Sequence, residues 1–115
     1  LAGTAYAAKT SMTGDYVKDT ISVAHSLQET IAIPEEDETR SQADKEAVVL
    51  ITDYIARYRN RPKFNQTVSY TTMQTALNSM AGHIKTYTNR PLPEELKTRL
   101  VKELTKAEKL VLSDS

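Results

Sequence analysis

The sequence predicts an all-α protein, an up-down-up-down four-helix bundle, and three observations lead to this prediction. Apolar residues recur at steps of three and four along four segments, which is the spacing of one helix face. The breaks between segments are short, so neighbouring helices should be antiparallel. No run alternates apolar and polar residues over the length of a sheet strand. At 115 residues we expect one bundle over residues 13–112, after a flexible leader over residues 1–12.

The first helix is predicted from about Asp15 to Ile33. Its apolar face consists of Val17, Ile21, Ala24, Leu27 and Ile31. Asp15, or Thr13 just before it, is a suitable N-cap because its side-chain oxygen can accept a hydrogen bond from a free backbone N–H. Pro34 and the four acids that follow it end the helix, since a Pro disfavours the α conformation in the residue before it.

The second helix is predicted over residues 41–60. Its apolar face consists of Ala43, Ala47, Leu50, Ile51, Tyr54, Ile55 and Tyr58. Thr39 and Gln42 have the spacing of a capping box, in which each side chain bonds the backbone N–H of the other residue. Arg57 and Arg59 fall in the last turn, where cations interact favourably with the negative end of the helix dipole.

The third helix follows the longest break, which covers residues 61–70, and Thr71 or Thr72 is its predicted N-cap. Its core stripe consists of Met73, Leu77, Met80, Ile84 and Tyr87. Gly82 lies in its middle and points away from the core, where it costs up to about 1 kcal/mol relative to Ala. Gly82 is interpreted either as a tolerated weakness or as a flat patch that lets another backbone approach.

The fourth helix follows a hinge over residues 89–93, in which two prolines separate the helices. Pro93 is predicted at its first position with Glu94 and Glu95 in the first turn, and all three residue types are favourable there. Its core stripe consists of Leu96, Leu100, Leu104, Ala107 and Val111.

Composition excludes several classes of function. The chain contains no Cys, and therefore no disulfide, thiolate metal site or Cys nucleophile. Its 15 basic and 15 acidic residues balance, so it lacks the basic excess of a general nucleic-acid binder. Ser and Thr are plentiful, but no nucleophile elbow or Gly-rich phosphate loop accompanies them, and we predict no catalysis.

The predicted topology places an acidic stretch and a basic stretch at opposite ends of the bundle. Residues 34–46 carry six acids and two bases, whereas residues 57–63 carry four bases and no acid. Antiparallel helices place the acidic stretch at one end with the hinge at residues 89–93. The basic stretch is expected at the other end, with the leader and the C-terminus.

Metal and cofactor sites find little support in the sequence. His25 and His83 are the only histidines, and no Glu-x-x-His pair accompanies them. Haem would need core-facing axial ligands, but His83 falls about 80° from the centre of its core stripe. We therefore predict no cofactor and no metal.

The outer face of the fourth helix carries a basic sector about 80° wide, bordered by Glu103 and Glu108. Its members are Arg99, Lys102, Lys106 and Lys109. This sector is interpreted either as a solvated face or as a charged docking strip near the cluster at residues 57–61, at the same end of the bundle.

The N-terminal segment is rich in small residues and carries two short processing signals. Ala5-Tyr6-Ala7 has the A-x-A form of a signal-peptidase site, and Leu1-Ala2-Gly3 has the form of a lipobox whose Cys would fall at Thr4. A plain flexible leader is the alternative interpretation.

Three stretches resemble a family of small thylakoid-lumen photosystem II assembly and repair factors of cyanobacteria. They are TGDYVKDT (residues 13–20), DYIARYR (residues 53–59) and YTTMQTALNSMAGHIKTYTNRPLPEELKTRL (residues 70–100). The likeness runs from Thr13 to about Leu110 and is most specific between Thr72 and Pro91. It implies a four-helix bundle without enzymatic activity, a monomer when free, at the lumenal face of the thylakoid membrane.

The resemblance also implies a partner and an anchor. Members are lipoproteins acylated on an N-terminal Cys, and they bind the lumenal domain of an inner chlorophyll-binding antenna subunit before the oxygen-evolving centre is complete. This chain departs from the pattern because it contains no Cys. Carried over onto matching positions, the antenna contact would use Arg59, Arg99, Glu103 and Glu108.

Two alternative functions stay open at this point. The first is a manganese carrier, whose oxygen ligands would be Glu35, Glu36, Asp37 and Glu38. The second is a peripheral membrane protein that places its basic end on anionic lipid.

Overall fold

A computed structural model describes residues 12–88 and 90–114, and most of these residues are helical. The helices are α1 (Tyr16–Ala32), α2 (Arg40–Tyr58), α3 (Pro62–Asn65), α4 (Val68–Thr86) and α5 (Glu94–Asp114). This confirms the predicted all-α fold, since four long helices dominate the described part and no strand occurs in it.

The four long helices form a ring in which each packs against two others. Helix α1 contacts α2 and α5, and α4 contacts the same two helices from the opposite corner. The Tyr58 hydroxyl at the end of α2 donates to Asp19 at the start of α1, so these two helices are antiparallel. The Ser69 N–H at the start of α4 donates to Asp114 at the end of α5, at 2.8 Å. The Tyr16 and Ser69 hydroxyls, 2.6 Å apart, join the start of α1 to the start of α4, and together these contacts establish the up-down-up-down arrangement.

The core is aliphatic along most of its length and aromatic at one end. Tyr54 and Tyr58 are fully buried, and the Tyr16 and Phe64 rings stack with centroids 4.4 Å apart. Most predicted core positions are buried or half-buried. Tyr87 is the exception: α4 ends at Thr86, and the Tyr87 side chain beyond it is 48% exposed.

Helix α1 begins as predicted, whereas α2 does not. The Asp15 carboxylate accepts a hydrogen bond from the Lys18 N–H at 3.1 Å and caps α1. The capping box predicted for Thr39 is wrong, because Thr39 makes no cap hydrogen bond with its side chain. Its hydroxyl instead donates to Asp37 at 2.7 Å, and its backbone is already in the right-handed helical region.

The break before α4 is more structured than predicted. Pro62 starts the single turn of α3, and Phe64 on this turn packs against the core. Thr67 then caps α4 by accepting a hydrogen bond from the Tyr70 N–H at 3.1 Å. The predicted caps, Thr71 and Thr72, therefore lie inside the helix.

The connection between α1 and α2 is held by a buried arginine. Arg40 is only 7% exposed, and its guanidinium donates to the Ile33 carbonyl at 2.8 Å and to the Asp44 carboxylate at 3.2 Å. These bonds join the end of α1 to the first turns of α2.

The predicted distribution of charge is confirmed where the structure describes it. The acidic α1–α2 connection and the α4–α5 turn face a shared cavity, lined among others by Glu35, Glu38, Tyr87 and Arg90. At the opposite end, Met12 lies beside Arg57 and Arg61. Residues 1–11, including the two processing signals, lie outside the described residues, so the leader stays a prediction.

The α4–α5 turn enters α5 one residue later than predicted. Asn89 lies outside the described residues, but Leu92 in the same turn is buried and anchors it to the core. The helix begins at Glu94, and the Pro93 carbonyl accepts the Lys97 N–H at 2.9 Å. Pro93 therefore precedes the helix, while Glu94 and Glu95 occupy its first turn as predicted.

Candidate partner-binding surfaces

Arg99 and Glu103 lie together on the flank of α5 that faces α4. The exposed Arg99 side chain donates one hydrogen bond to the Ser79 hydroxyl of α4, at 3.2 Å. A guanidinium has five N–H donors, so most of them have no acceptor among the described residues and can bond to a partner. Glu103 is half-buried, and its Oε1 accepts no hydrogen bond from the described residues. The Glu103 Oε1 is itself buried, so the Arg99 guanidinium is the group that this flank exposes to a partner.

Glu108 lies on the other flank of α5, against α1. Nine residues separate it from Arg99, which is a rotation of about 180° around the helix. Its carboxylate lies 2.8 Å from the His25 Nε2 and accepts a hydrogen bond from the Gln28 amide at 2.6 Å. Glu103 and Glu108 thus border the basic sector from opposite sides, and internal partners hold Glu108 at the α1–α5 seam.

Arg59 lies at the far end of the bundle from Arg99. It follows the last residue of α2 and is exposed, and its carbonyl accepts a hydrogen bond from the Asn65 amide at 2.7 Å. Helix α2 lies diagonally across the ring from α5. The predicted proximity of the α5 strip to the cluster at residues 57–61 is therefore wrong for Arg99, which lies near the start of α5.

The remaining cations of the α5 sector are exposed as predicted. Lys102 and Lys106 follow Arg99 along the outer face, and Lys109 continues it toward the end that holds Asp114. All three side chains are exposed to solvent.

Asp19 is a buried carboxylate that the sequence patterns did not predict. Asp19 is 2% exposed and accepts hydrogen bonds from the Thr13 N–H at 2.9 Å, the Gly14 N–H at 3.1 Å and the Tyr58 hydroxyl. Gly14 has a φ of 91°, a backbone conformation that favours glycine and turns its N–H toward Asp19. The available signal was the spacing, since Tyr16, Asp19 and Val23 share one helix face.

Titration of this cluster follows from its hydrogen bonds. Burial acts to raise the pKa of Asp19, but the bonds from Tyr58, Thr13 and Gly14 outweigh it and lower the pKa below its usual value. Burial, together with the bond to Asp19, raises the pKa of Tyr58. At neutral pH an ionised carboxylate thus accepts from a neutral phenol.

The acidic connection shows no arrangement for a metal. Within residues 12–88 and 90–114, no three His, Asp or Glu side chains are grouped so that they could hold an ion. Asp37 instead accepts both the Thr39 N–H and the Thr39 hydroxyl, and these bonds lower its pKa. None of the helices in these ranges combines the length and apolarity that crossing a membrane requires.

Fold and surfaces together define a small up-down-up-down helical bundle with charged outer faces. The chain matches the family described as Photosystem II Pbs27 over residues 2–111, and it belongs to that family. It is 46% identical over 99 residues to the photosystem II assembly factor lipoprotein Psb27 of Thermosynechococcus vestitus, covering 86% of this chain and 74% of that protein.

Two further comparisons agree with this assignment. The chain is 44% identical over 102 residues to the photosystem II lipoprotein Psb27 of Synechocystis sp., covering 89% of this chain and 76% of the relative. The solution structure of Psb27 from cyanobacterial photosystem II superposes with a TM-score of 0.85 at 44% identity, covering 90% of each chain. The predicted family is confirmed.

Proposed function

We propose that this protein is a non-catalytic photosystem II assembly and repair factor. It binds, transiently, the lumenal domain of an inner chlorophyll-binding antenna subunit before the oxygen-evolving complex is assembled. Family membership and the relatives' names support the photosystem II role. The observation that supports the docking proposal is the exposed Arg99 guanidinium on the α4-facing flank of α5, which makes one hydrogen bond to Ser79 and has further N–H donors without a partner among the described residues.

The two arginines assigned to the contact lie far apart, which sets the shape of the interface. Arg99 is 15 residues from Asp114 along α5, so it lies about 20 Å along the bundle axis from the end that carries Arg59. A partner that touches both must follow the length of the bundle. Rigid packing between the helices keeps this separation fixed, so the charged groups act mainly through orientation and association rate.

Glu108 contributes to this interface indirectly. Because His25 and Gln28 already hold its carboxylate, it is less available to a partner than the exposed Arg99. We propose that it keeps α5 in position against α1, which fixes where Arg99 and Glu103 are presented.

The proposed location is the lumenal face of the thylakoid membrane. Two relatives are named lipoproteins, and by analogy we propose an N-terminal lipid tether for the native form of this protein. These 115 residues contain no Cys, so an attachment residue would have to lie outside them. Met12 lies beside Arg57, which supports a tether that joins the bundle at the basic end of α2.

Charge reversal tests the antenna contact. The variant Arg59→Glu with Arg99→Glu should co-purify with immature photosystem II at least about tenfold less than the unchanged chain, because each reversal replaces an attraction with a repulsion. A matched variant, Lys45→Glu with Lys85→Glu, changes two other exposed cations and the net charge equally. It should bind normally, and both variants should keep their helicity in circular dichroism. Equal co-purification of the two variants would contradict this assignment of the surface.

A further inference from the structure

Four exposed cations surround the end of the bundle where α2 stops and α4 begins, and we call this surface the basic end. They are Arg57, Arg59, Arg61 and Lys63. None of the four forms an ion pair with a carboxylate of residues 12–88 or 90–114. The Lys63 ammonium lies 5.6 Å from the centre of the Phe64 ring, and the Arg57 guanidinium lies beside Gly14. The cations thus extend across the end from α1 to α3.

The carboxylates at this end are mostly engaged in local structure. Asp15 caps α1, Asp19 is buried, and Asp114 accepts the Ser69 N–H. Asp53 is half-buried. The exposed charge that a large surface would meet here is therefore predominantly positive.

Two apolar side chains project at the same end. Leu112 is 69% exposed and Val68 is 58% exposed, the highest values among the large apolar residues in the described part of the chain. Val68 opens α4 and Leu112 lies in the last turn of α5, and the Ser69–Asp114 hydrogen bond holds these two termini together. An end of the bundle that carries both exposed cations and exposed apolar side chains matches an interface in which headgroups lie over hydrocarbon.

We propose that the basic end docks on the surface of an anionic lipid bilayer. Arg57, Arg61 and Lys63 would contact the headgroups, while Leu112 and Val68 enter the interfacial layer. The segment that precedes Met12 joins the bundle at this end, so a tether there would bring the same surface to the bilayer. This orientation leaves the Arg99–Glu103 flank about 20 Å from the bilayer surface. Arg59 also lies at the basic end, but it is left out of the proposed headgroup contacts and stays assigned to the antenna contact. The docking proposal does not depend on that contact.

Vesicle co-sedimentation of the 115-residue chain tests this docking. Vesicles of phosphatidylcholine with about 30 mol% phosphatidylglycerol should bind it, and pure phosphatidylcholine should bind it much less. The variant Arg57→Gln, Arg61→Gln, Lys63→Gln should lose affinity for these vesicles by a factor of more than about ten. Each cation near an anionic surface raises the affinity about fivefold. Arg59 is left unchanged because it belongs to the proposed antenna contact.

The matched control is Lys85→Gln, Lys102→Gln, Lys106→Gln, which removes the same charge from exposed positions elsewhere. It should sediment like the unchanged chain. At high salt, where the attraction between charges is screened, Leu112→Asn should bind the vesicles less than the unchanged chain does. Absence of binding by the unchanged chain, or equal loss in both triple variants, would overturn the proposal. So would a basic-end variant that binds vesicles normally but loses photosystem II, because the surface would then be a protein interface.

Discussion

At the scale of single residues, Asp19 is the side chain on which the N-terminal end of the bundle most depends. Its carboxylate joins residues 13 and 14, α1 and the end of α2 through four hydrogen bonds. Asp19→Asn removes the charge that strengthens them, and we expect the free energy of unfolding to fall by about 2–3 kcal/mol. Urea denaturation would measure this. Tyr58→Phe removes one of the four bonds and should lower the free energy of unfolding by about 1 kcal/mol. If it lowered this free energy more than Asp19→Asn does, Asp19 would not be the more important side chain of the pair.

The lowered pKa of Asp19 also predicts how stability changes with pH. The carboxyl has its ordinary pKa near 3.8 in the unfolded chain and a lower one in the folded protein. The contribution of Asp19 to folding stability is therefore complete above its pKa in the unfolded chain, and it is lost as pH falls through the pKa of the folded protein. Asp37 acts in the same direction. Denaturation at a series of pH values should show that the free energy of unfolding falls below about pH 4. In Asp19→Asn it should fall less steeply with pH. An equally steep fall in that variant would exclude Asp19 as the cause.

At the scale of elements, the two described glycines, Gly14 before α1 and Gly82 within α4, should respond oppositely to a methyl group. A Cβ at Gly82 meets nothing within 4 Å, so Gly82→Ala should stabilise α4 by up to about 1 kcal/mol. Gly14→Ala should destabilise the protein, because its φ of 91° is unfavourable for alanine. Thermal denaturation of both variants checks this. If Gly82→Ala is stable but binds photosystem II more weakly, Gly82 belongs to a flat docking patch.

The four long helices could be predicted because apolar periodicity reports directly on which face is buried. The helix starts were harder, since Thr39 and Thr67 are both plausible caps and only the competing bond from Thr39 to Asp37 separates them. Helix α3 is a single turn, too short to show a period. Periodicity also gives angles within one helix but not which neighbour each flank meets, and for this reason the sequence did not predict that His25 and Gln28 hold Glu108.

At the scale of the whole molecule, the ring order of the helices determines how the proposed antenna contact is built. Helices α2 and α5 lie on a diagonal and share no seam, so Arg59 and Arg99 cannot act on one group of a partner. Sites this far apart contribute independently to binding unless the partner itself couples them. The interface is therefore expected to consist of two separate charged contacts on a rigid body.

A double-mutant cycle on Arg59→Ala and Arg99→Ala measures this independence. Binding free energies to purified immature photosystem II should add to within about 0.5 kcal/mol. Arg99→Ala with Glu103→Ala provides the positive control, because these neighbours share one flank of α5 and should show coupling. A coupling between Arg59 and Arg99 as large as that of the control pair would mean that the partner bridges both ends through one shared element, or that the bundle rearranges on binding.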